Sequence, residues 1–297
     1  MSDSAPVRFR ALVTGAGGQV GTELVPLLDD VTALTRGELD ITDADAVRDA
    51  LHTLSFDADG VRTVLFNLAA YTNVDRAESD EDTAYAVNGR AVEQLAAACG
   101  ETRTTLVHVS TDYVFAGDAT SPYEVDAATE PRSVYGRSKL VGERAVVAAG
   151  AGHVVRTAWV YGATGGNFVK TIARLERERD TIQVVDDQRG APTWSADLAA
   201  ALVELAASDA PFGVYHYTND GETTWCGFAR AVFTELGADP SRVQPCTTAE
   251  FPRPAPRPAY SVLSHRAWLA QGLSAPRPWS AALHAAFRAK PDVFRTG

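Results

Sequence analysis

Gly15, Gly18 and Gly21 recur every third residue directly after an apolar run at 9–13, and this turn restricts the fold more than any other feature of the chain. The spacing is G-x-x-G-x-x-G, with Gly17 between, rather than the commoner G-x-G-x-x-G. Glycine lets a backbone turn sharply out of a strand, approach a pyrophosphate closely and bring the next helix against the strand. A strand, such a turn and the amphipathic stretch 19–28 therefore predict a dinucleotide whose phosphates meet a helix N-terminus.

The pattern then repeats. Runs at 31–34, 61–68, 106–109 and 154–157 read as buried strands, separated by helical stretches at 43–54, 82–99 and 134–149. This alternation predicts an α/β fold with a doubly wound parallel sheet. Thr42, with Asp45 three residues on, is expected to cap the second helix. Beyond Gly162 the chain reads as mostly helical: Asn167 can cap a helix carrying Phe168, Ile172 and Leu175 on one face, and 194–207 and 225–236 are further helices. The prolines of 252–258 impose an extended loop. The expected organisation is an NAD(P)-binding domain over 1–161, joined by about 181–218, interleaved with a smaller, mostly helical substrate-binding lobe over 162–297. With 297 residues, 45% of them hydrophobic, either lobe can bury a core.

About 20 residues past the first glycine, such folds carry an acid for the ribose of NAD or an arginine for the 2′-phosphate of NADP. Leu34-Thr35-Arg36 occupies that place, while Glu38 and Asp40 lie past the strand, so NADPH is favoured over NADH. The net charge of −11 argues against nucleic acid or an anionic membrane as partner, so an anionic ligand must be met by local cations. Three cysteines without C-x-x-C spacing suggest neither a disulfide framework nor a zinc site, which points to a reducing cytoplasm. No apolar run reaches membrane-spanning length, and no targeting segment is expected.

Tyr135-Gly-Arg-Ser-Lys139 sets a phenol and an ammonium four residues apart on one helix face. Free tyrosine has a pKa of ~10, so a nearby cation that lowers it would make the phenol a usable acid near neutrality. Thr111 follows the fourth strand, at the edge where open α/β sheets receive ligands, and its hydroxyl can bond a substrate carbonyl or the Tyr135 phenol.

Together Gly15, Thr111, Tyr135 and Lys139 resemble the extended short-chain dehydrogenase/reductase family. Five further segments narrow the resemblance: Asn67-Leu-Ala-Ala-Tyr-Thr-Asn-Val-Asp75, Ser110-Thr-Asp-Tyr-Val-Phe115, Arg156-Thr-Ala-Trp-Val-Tyr-Gly162, Asn167-Phe168 and Asp187-Gln-Arg-Gly-Ala-Pro-Thr193. With Arg257-Pro-Ala-Tyr-Ser261 near the C-terminus, they resemble the dTDP-4-dehydrorhamnose reductase family over nearly the whole chain. Leu68 and Ala158 depart from its usual alanine and serine, which changes volume and not chemistry.

The resemblance implies NADPH-dependent reduction of the C4 ketone of dTDP-4-dehydro-6-deoxy-L-mannose, with Thr111, Tyr135 and Lys139 catalytic. It further implies that Gly15, Gly17, Gly18, Gln19, Val20, Arg36, Asp40, Ile41, Ala69, Ala70 and Tyr71, together with Tyr135 and Lys139, bind the cofactor. Val74, Thr111, Asp112, Tyr113, Trp159 and Asn167 would face the sugar, and Arg257 would pair with the pyrophosphate. A magnesium contribution, known for some members, has no readable ligand cluster, so no metal ligand is assigned. A dehydratase of this fold would need Asp-Glu after Thr111, and here Tyr113 follows Asp112. A ketoreductase for another dTDP-deoxysugar uses the same residues and stays open. A non-catalytic regulatory subunit fits poorly with an intact Thr, Tyr and Lys. The chain is expected to act as a monomer or homodimer.

Overall fold

The structure, a computed structural model, describes residues 9–56 and 61–296. Six parallel strands form its central sheet: β1 (Phe9–Thr14), β2 (Val31–Leu34), β3 (Arg62–Asn67), β4 (Thr105–Thr111), β5 (Gly152–Thr157) and β6 (Gly213–His216). Their order across the sheet is β6-β5-β4-β3-β1-β2, so the chain reverses direction between β1 and β3. The connections leaving β1 and β3 pass to opposite faces of the sheet there, the switch point at which ligands of such sheets lie.

Side chains alternate along each strand, and the alternation sorts the core into two faces. Ala11, Val13, Val64, Phe66, Val107 and Val155 point to one face, which is covered by Leu24 of α1 (Gly21–Leu24) and by Leu198, Leu202 and Leu205 from the second half of the chain. Leu12, Leu65, Leu106 and Val154 point to the other, under α2 (Ala44–Phe56), α3 (Ala91–Thr102) and α4 (Val134–Ala149). A separate cluster around Tyr161, Val169, Ile172, Phe228, Phe233 and Phe287 holds together α5 (Phe168–Glu178), α7 (Trp225–Leu236) and α8 (Trp279–Ala289); between α5 and α7 in the chain, α6 (Ser195–Ala207) carries Leu198, Leu202 and Leu205 back to the sheet.

Several local expectations are corrected. The amphipathic stretch 19–28 forms only the single turn α1 and a 3₁₀ turn at Val25–Leu27, because Pro26 has no amide hydrogen to continue an α-helix. Asp43, not Thr42, caps α2: its Oδ1 accepts from the amides of Asp45 at 3.1 Å and Ala46 at 3.0 Å, while Thr42 is bonded to Asp40. The helix expected over 82–99 is interrupted by a π-helical turn at Ala86–Arg90. Strand β6 was not foreseen, since four residues after a short turn give little periodicity to read.

Candidate active site

Gly15 adopts φ +71°, and a Cβ there would lie 2.7 Å from the Ala69 amide nitrogen. Glycine is therefore required twice over, for the left-handed turn and for the contact with the segment leaving β3. The Gly18 amide donates to the Gly15 carbonyl at 2.9 Å and closes the turn. A Cβ on Gly21 would come within 2.6 Å of the Ala16 and Gly15 carbonyls, so that glycine seats α1. Gly17 and Gly18 are exposed, and a Cβ on Gly17 would meet nothing nearer than 3.6 Å. The open turn suits a pyrophosphate approached by main-chain amides. With α1 a single turn, the loop amides have more part in this than a helix dipole.

At the end of β2, Arg36 is exposed beside the turn. The acids near it are tied into local turns: Glu38 accepts from the Thr35 amide and hydroxyl, both at 2.8 Å, and Asp40 accepts from Thr42. These bonds hold both carboxyls below their ordinary range, the Thr35 and Thr42 amides contributing most. Ile41 is buried under α2, and Val20 opens α1, its carbonyl accepting from Leu24 at 2.9 Å.

Ala69, Ala70 and Tyr71 leave β3 half-buried at the switch point. Asn88, in the π-helical turn, clamps Tyr71: it accepts from its amide at 2.9 Å and donates to its carbonyl at 3.0 Å. Its amide nitrogen also donates to Ser138 Oγ at 3.1 Å, which links this segment to α4. The Asn88 role was missed in the sequence; the usable signal was a buried asparagine among small apolar residues.

Thr111 ends β4, and Tyr135 and Lys139 lie on α4, capped by Ser133, whose hydroxyl accepts from the Gly136 amide at 3.1 Å. A Cβ on Gly136 would sit 2.2 Å from the Tyr113 carbonyl, so glycine lets α4 press against the turn after β4. Thr111 donates to Asp112 Oδ1 at 2.9 Å and accepts from the Tyr113 amide at 3.2 Å. Burial pushes Tyr135 up to about 12, a hydrogen bond with Thr111 opposes this, and the Asp112 charge adds to it. Burial likewise pushes Asp112 up to about 6 against hydrogen bonds from Ser261 and Thr111. Lys139 is buried, and desolvation lowers it to about 8 against the favourable charge of Glu143. Its Nζ donates to the Val109 carbonyl at 2.7 Å and lies 3.2 Å from His108 Nε2. The expected lowering of the tyrosine pKa by Lys139 is thus not met in this structure, because desolvation of the phenol dominates.

Of the remaining residues, Tyr113 meets Tyr135 directly, while Trp159 and Asn167 are held by contacts of their own. The rings of Tyr113 and Tyr135 meet edge to face at 5.6 Å. Val74 opens the one-turn helix Val74–Ala77, in which Asp75 is bracketed by Arg257 at 2.9 Å and Arg253 at 3.1 Å; the Arg257 guanidinium also lies 6.0 Å from the Tyr113 ring centroid. Arg257 therefore already has a carboxylate partner, and sequence reasoning missed both Arg253 and Asp75. Trp159 adopts φ +48°, a conformation that is costly for a bulky residue and common at functional sites. It stacks on Trp225 with ring centroids 3.5 Å apart, and a Cβ on Gly190 would strike its ring at 2.5 Å. The glycine of Asp187-Gln-Arg-Gly190 thus has a physical reason. Asn167 caps α5 by accepting from the Lys170 amide at 3.1 Å, and its amide nitrogen donates to the Gly162 carbonyl at 2.8 Å and to Gln19 Oε1 at 3.1 Å. Thr22 reaches Thr164 in the same region at 3.0 Å.

The family model described as RmlD substrate binding domain matches residues 9–290. The dTDP-4-dehydrorhamnose reductase of Streptomyces griseus is 51% identical over 95% of this chain and 94% of its own length. The chain belongs to the dTDP-4-dehydrorhamnose reductase family. The dTDP-4-keto-6-deoxy-D-glucose reductase of Streptomyces niveus is 46% identical over 94% of this chain and 96% of its own length. Among solved structures, the dTDP-4-dehydrorhamnose reductase of Bacillus anthracis in complex with NADP is similar with a TM-score of 0.88 and 34% identity, covering 95% of this chain and 99% of that one. Among the described residues no group of three or more His, Cys, Asp and Glu side chains is arranged to hold a metal ion, and no helix is long and apolar enough to cross a membrane.

Proposed function

We propose that this member of the dTDP-4-dehydrorhamnose reductase family reduces the C4 ketone of dTDP-4-dehydro-6-deoxy-L-mannose to give dTDP-L-rhamnose, with NADPH as reductant. The observation that supports the reading is that Thr111, at the end of β4, bonds Tyr135 on α4, while Lys139, one turn on, packs against Val109 of the same strand. The names of the Streptomyces griseus relative and of the NADP-bound Bacillus anthracis structure support the substrate and cofactor. When bound, NADPH supplies the hydride. Thr111 orients the carbonyl oxygen by hydrogen bond, and Tyr135 gives its proton to that oxygen as it gains charge. Lys139 stabilises the phenolate that remains and anchors the nicotinamide ribose. Gly15, Gly17, Gly18, Gln19, Val20 and Arg36 hold the phosphates, and Asp40, Ile41, Ala69, Ala70 and Tyr71 line the rest of the cofactor. Asp112, Val74, Tyr113, Trp159 and Asn167 face the sugar nucleotide. Arg257, shared with Asp75, meets its pyrophosphate.

In this reading residues 1–161 with about 181–218 hold the cofactor, the rest of 162–297 holds the sugar, and the enzyme works in the cytoplasm as a monomer or homodimer. A coupled assay with the upstream 4-keto sugar and NMR of the product tests it. NADPH or NADH left unconsumed by folded protein would remove it. The Streptomyces niveus relative favours a second reading, a ketoreductase for another dTDP-deoxysugar, and the same product NMR separates the two.

Two quantitative expectations follow from the site. Arg36→Ala should raise KM for NADPH by a factor equivalent to at most about 1.5–3 kcal/mol and leave NADH nearly unchanged, since a charged hydrogen bond is lost only with the 2′-phosphate. Equal effects on both cofactors would detach Arg36 from that group. Activity should also fall as pH rises through about 8, where Lys139 loses its charge, and not near pH 10, the ordinary tyrosine value. A pH profile of kcat/KM flat to pH 10 would contradict the requirement for the ammonium.

A further inference from the structure

His108 is fully buried at the centre of β4, in contact with the family's lysine and not itself among the residues assigned to the reaction. Thr14, Asn67 and His108 are register partners on β1, β3 and β4, so they form a row across one face of the sheet, the face covered by α4. The Thr14 hydroxyl donates to Asn67 Oδ1 at 2.7 Å, Asn67 Nδ2 lies 2.9 Å from His108 Nδ1, and His108 Nε2 lies 3.2 Å from Lys139 Nζ. Each member is at most 2% exposed. A buried row of polar groups persists only if every donor finds an acceptor.

That condition links the row to the charge on Lys139. An ammonium must donate to His108 Nε2, which puts the ring proton on Nδ1 and requires the Asn67 oxygen opposite it, with the Asn67 amide donating to Thr14. An amine on Lys139 allows the reverse: Thr14 donates to Asn67, Asn67 to Nδ1, and Nε2–H to the lysine nitrogen. With Thr14 donating to Asn67 Oδ1 and Asn67 Nδ2 facing the ring, the amide is turned as the second polarity requires, while the ring tautomer is fixed by the charge on Lys139. Thr14 can end either chain, because a hydroxyl both donates and accepts.

We propose that His108 is a positioning residue for Lys139, and that the row Thr14–Asn67–His108 reverses its hydrogen-bond polarity as Lys139 gains or loses its proton. The reversal moves one proton between the two ring nitrogens and turns one amide, with no net charge added to the row. His108 stays neutral throughout, since burial and then the Lys139 charge hold it well below its ordinary value. The other titratable groups on elements packed around α4 are few. Glu143, Tyr135, Arg137 and the exposed Arg144 lie on α4 itself, Arg137 turned to the Arg132 carbonyl; Arg156 on β5 is paired with Glu143, Asp112 and Tyr113 follow β4, and Asp75 and Glu78 lie in and just after Val74–Ala77. Glu81, Asp82 and Glu93 on the neighbouring helices are exposed.

The chain has three lysines, 139, 170 and 290, so ¹³C labelling of lysine resolves the Lys139 titration in the protein without any ligand. His108→Gln keeps an acceptor near the Nε2 position, whereas His108→Asn reaches only Asn67. The proton affinity of Lys139 should stay within about twofold of wild type in His108→Gln and drop about tenfold, one pKa unit, in His108→Asn. Addition of ¹⁵N-histidine spectra should show the His108 proton moving from Nδ1 to Nε2 as pH rises through the Lys139 titration, with no imidazolium formed. Asn and Gln variants that titrate alike would overturn the positioning role. A His108 tautomer unchanged across that titration would overturn the reversal.

Discussion

Tyr135→Phe is expected to lower kcat by roughly 10²- to 10⁴-fold, the usual contribution of a positioned general acid, while the fold and cofactor affinity persist. The substitution is clean because the Tyr135 ring is held by its edge-to-face contact with Tyr113 at 5.6 Å, which phenylalanine reproduces. Only the hydroxyl and its hydrogen bond with Thr111 are lost. Burial keeps the phenol protonated throughout the pH range of an assay, so the acid is always loaded, and the alkaline fall in activity should persist in the residual turnover of the variant. Turnover within tenfold of wild type would take Tyr135 out of the mechanism.

The second large effect concerns the tie between β5 and α4. Arg156 on β5 and Glu143 on α4 form a buried ion pair, the side chains 5% and 3% exposed, with contacts at 2.8, 3.0 and 3.2 Å. The guanidinium also donates to the Val125 carbonyl at 3.1 Å and lies 4.9 Å from the Phe115 ring centroid. Arg156→Met leaves a carboxylate stranded in the interior and should cost about 3–5 kcal/mol of stability. Denaturant unfolding measures it, and Arg156→Met with Glu143→Gln should recover much of the loss, since the stranded charge is then absent. A single-variant loss below about 1 kcal/mol would mean that water or another cation already serves Glu143.

The order and type of the first five strands were legible because each is an apolar run followed by a turn or helix signal, and Val31–Leu34 and Val134–Ala149 have the expected bounds. The glycine turn was legible because Gly15 has no substitute at φ +71° against Ala69. What was hidden has a common cause: it depends on residues far apart in the chain. Asn88 reaches Tyr71, Trp225 stacks on Trp159, and Arg253 meets Asp75, none of them announced by local spacing. His108 and Asn67 were visible as polar residues in apolar strands, but only the sheet register shows that they stand side by side. The pKa expectation for Tyr135 failed for the same reason, since i,i+4 spacing gives the helix face and says nothing of how deeply that face is buried.

The contacts of Gln19 with Asn167 and of Thr22 with Thr164 join the glycine turn to the start of α5, the first a part-buried and the second an exposed side-chain bond. Neutral hydrogen bonds of this kind contribute about 0.5–1.5 kcal/mol each. Parting them leaves the α5 cap intact, because Asn167 accepts from Lys170 through its other atom. The glycine turn and the start of α5 are thus joined by weak bonds, whereas β5 and α4 are tied by a buried ion pair. Parting α5 from the glycine turn therefore costs little and leaves the tie between β5 and α4 untouched.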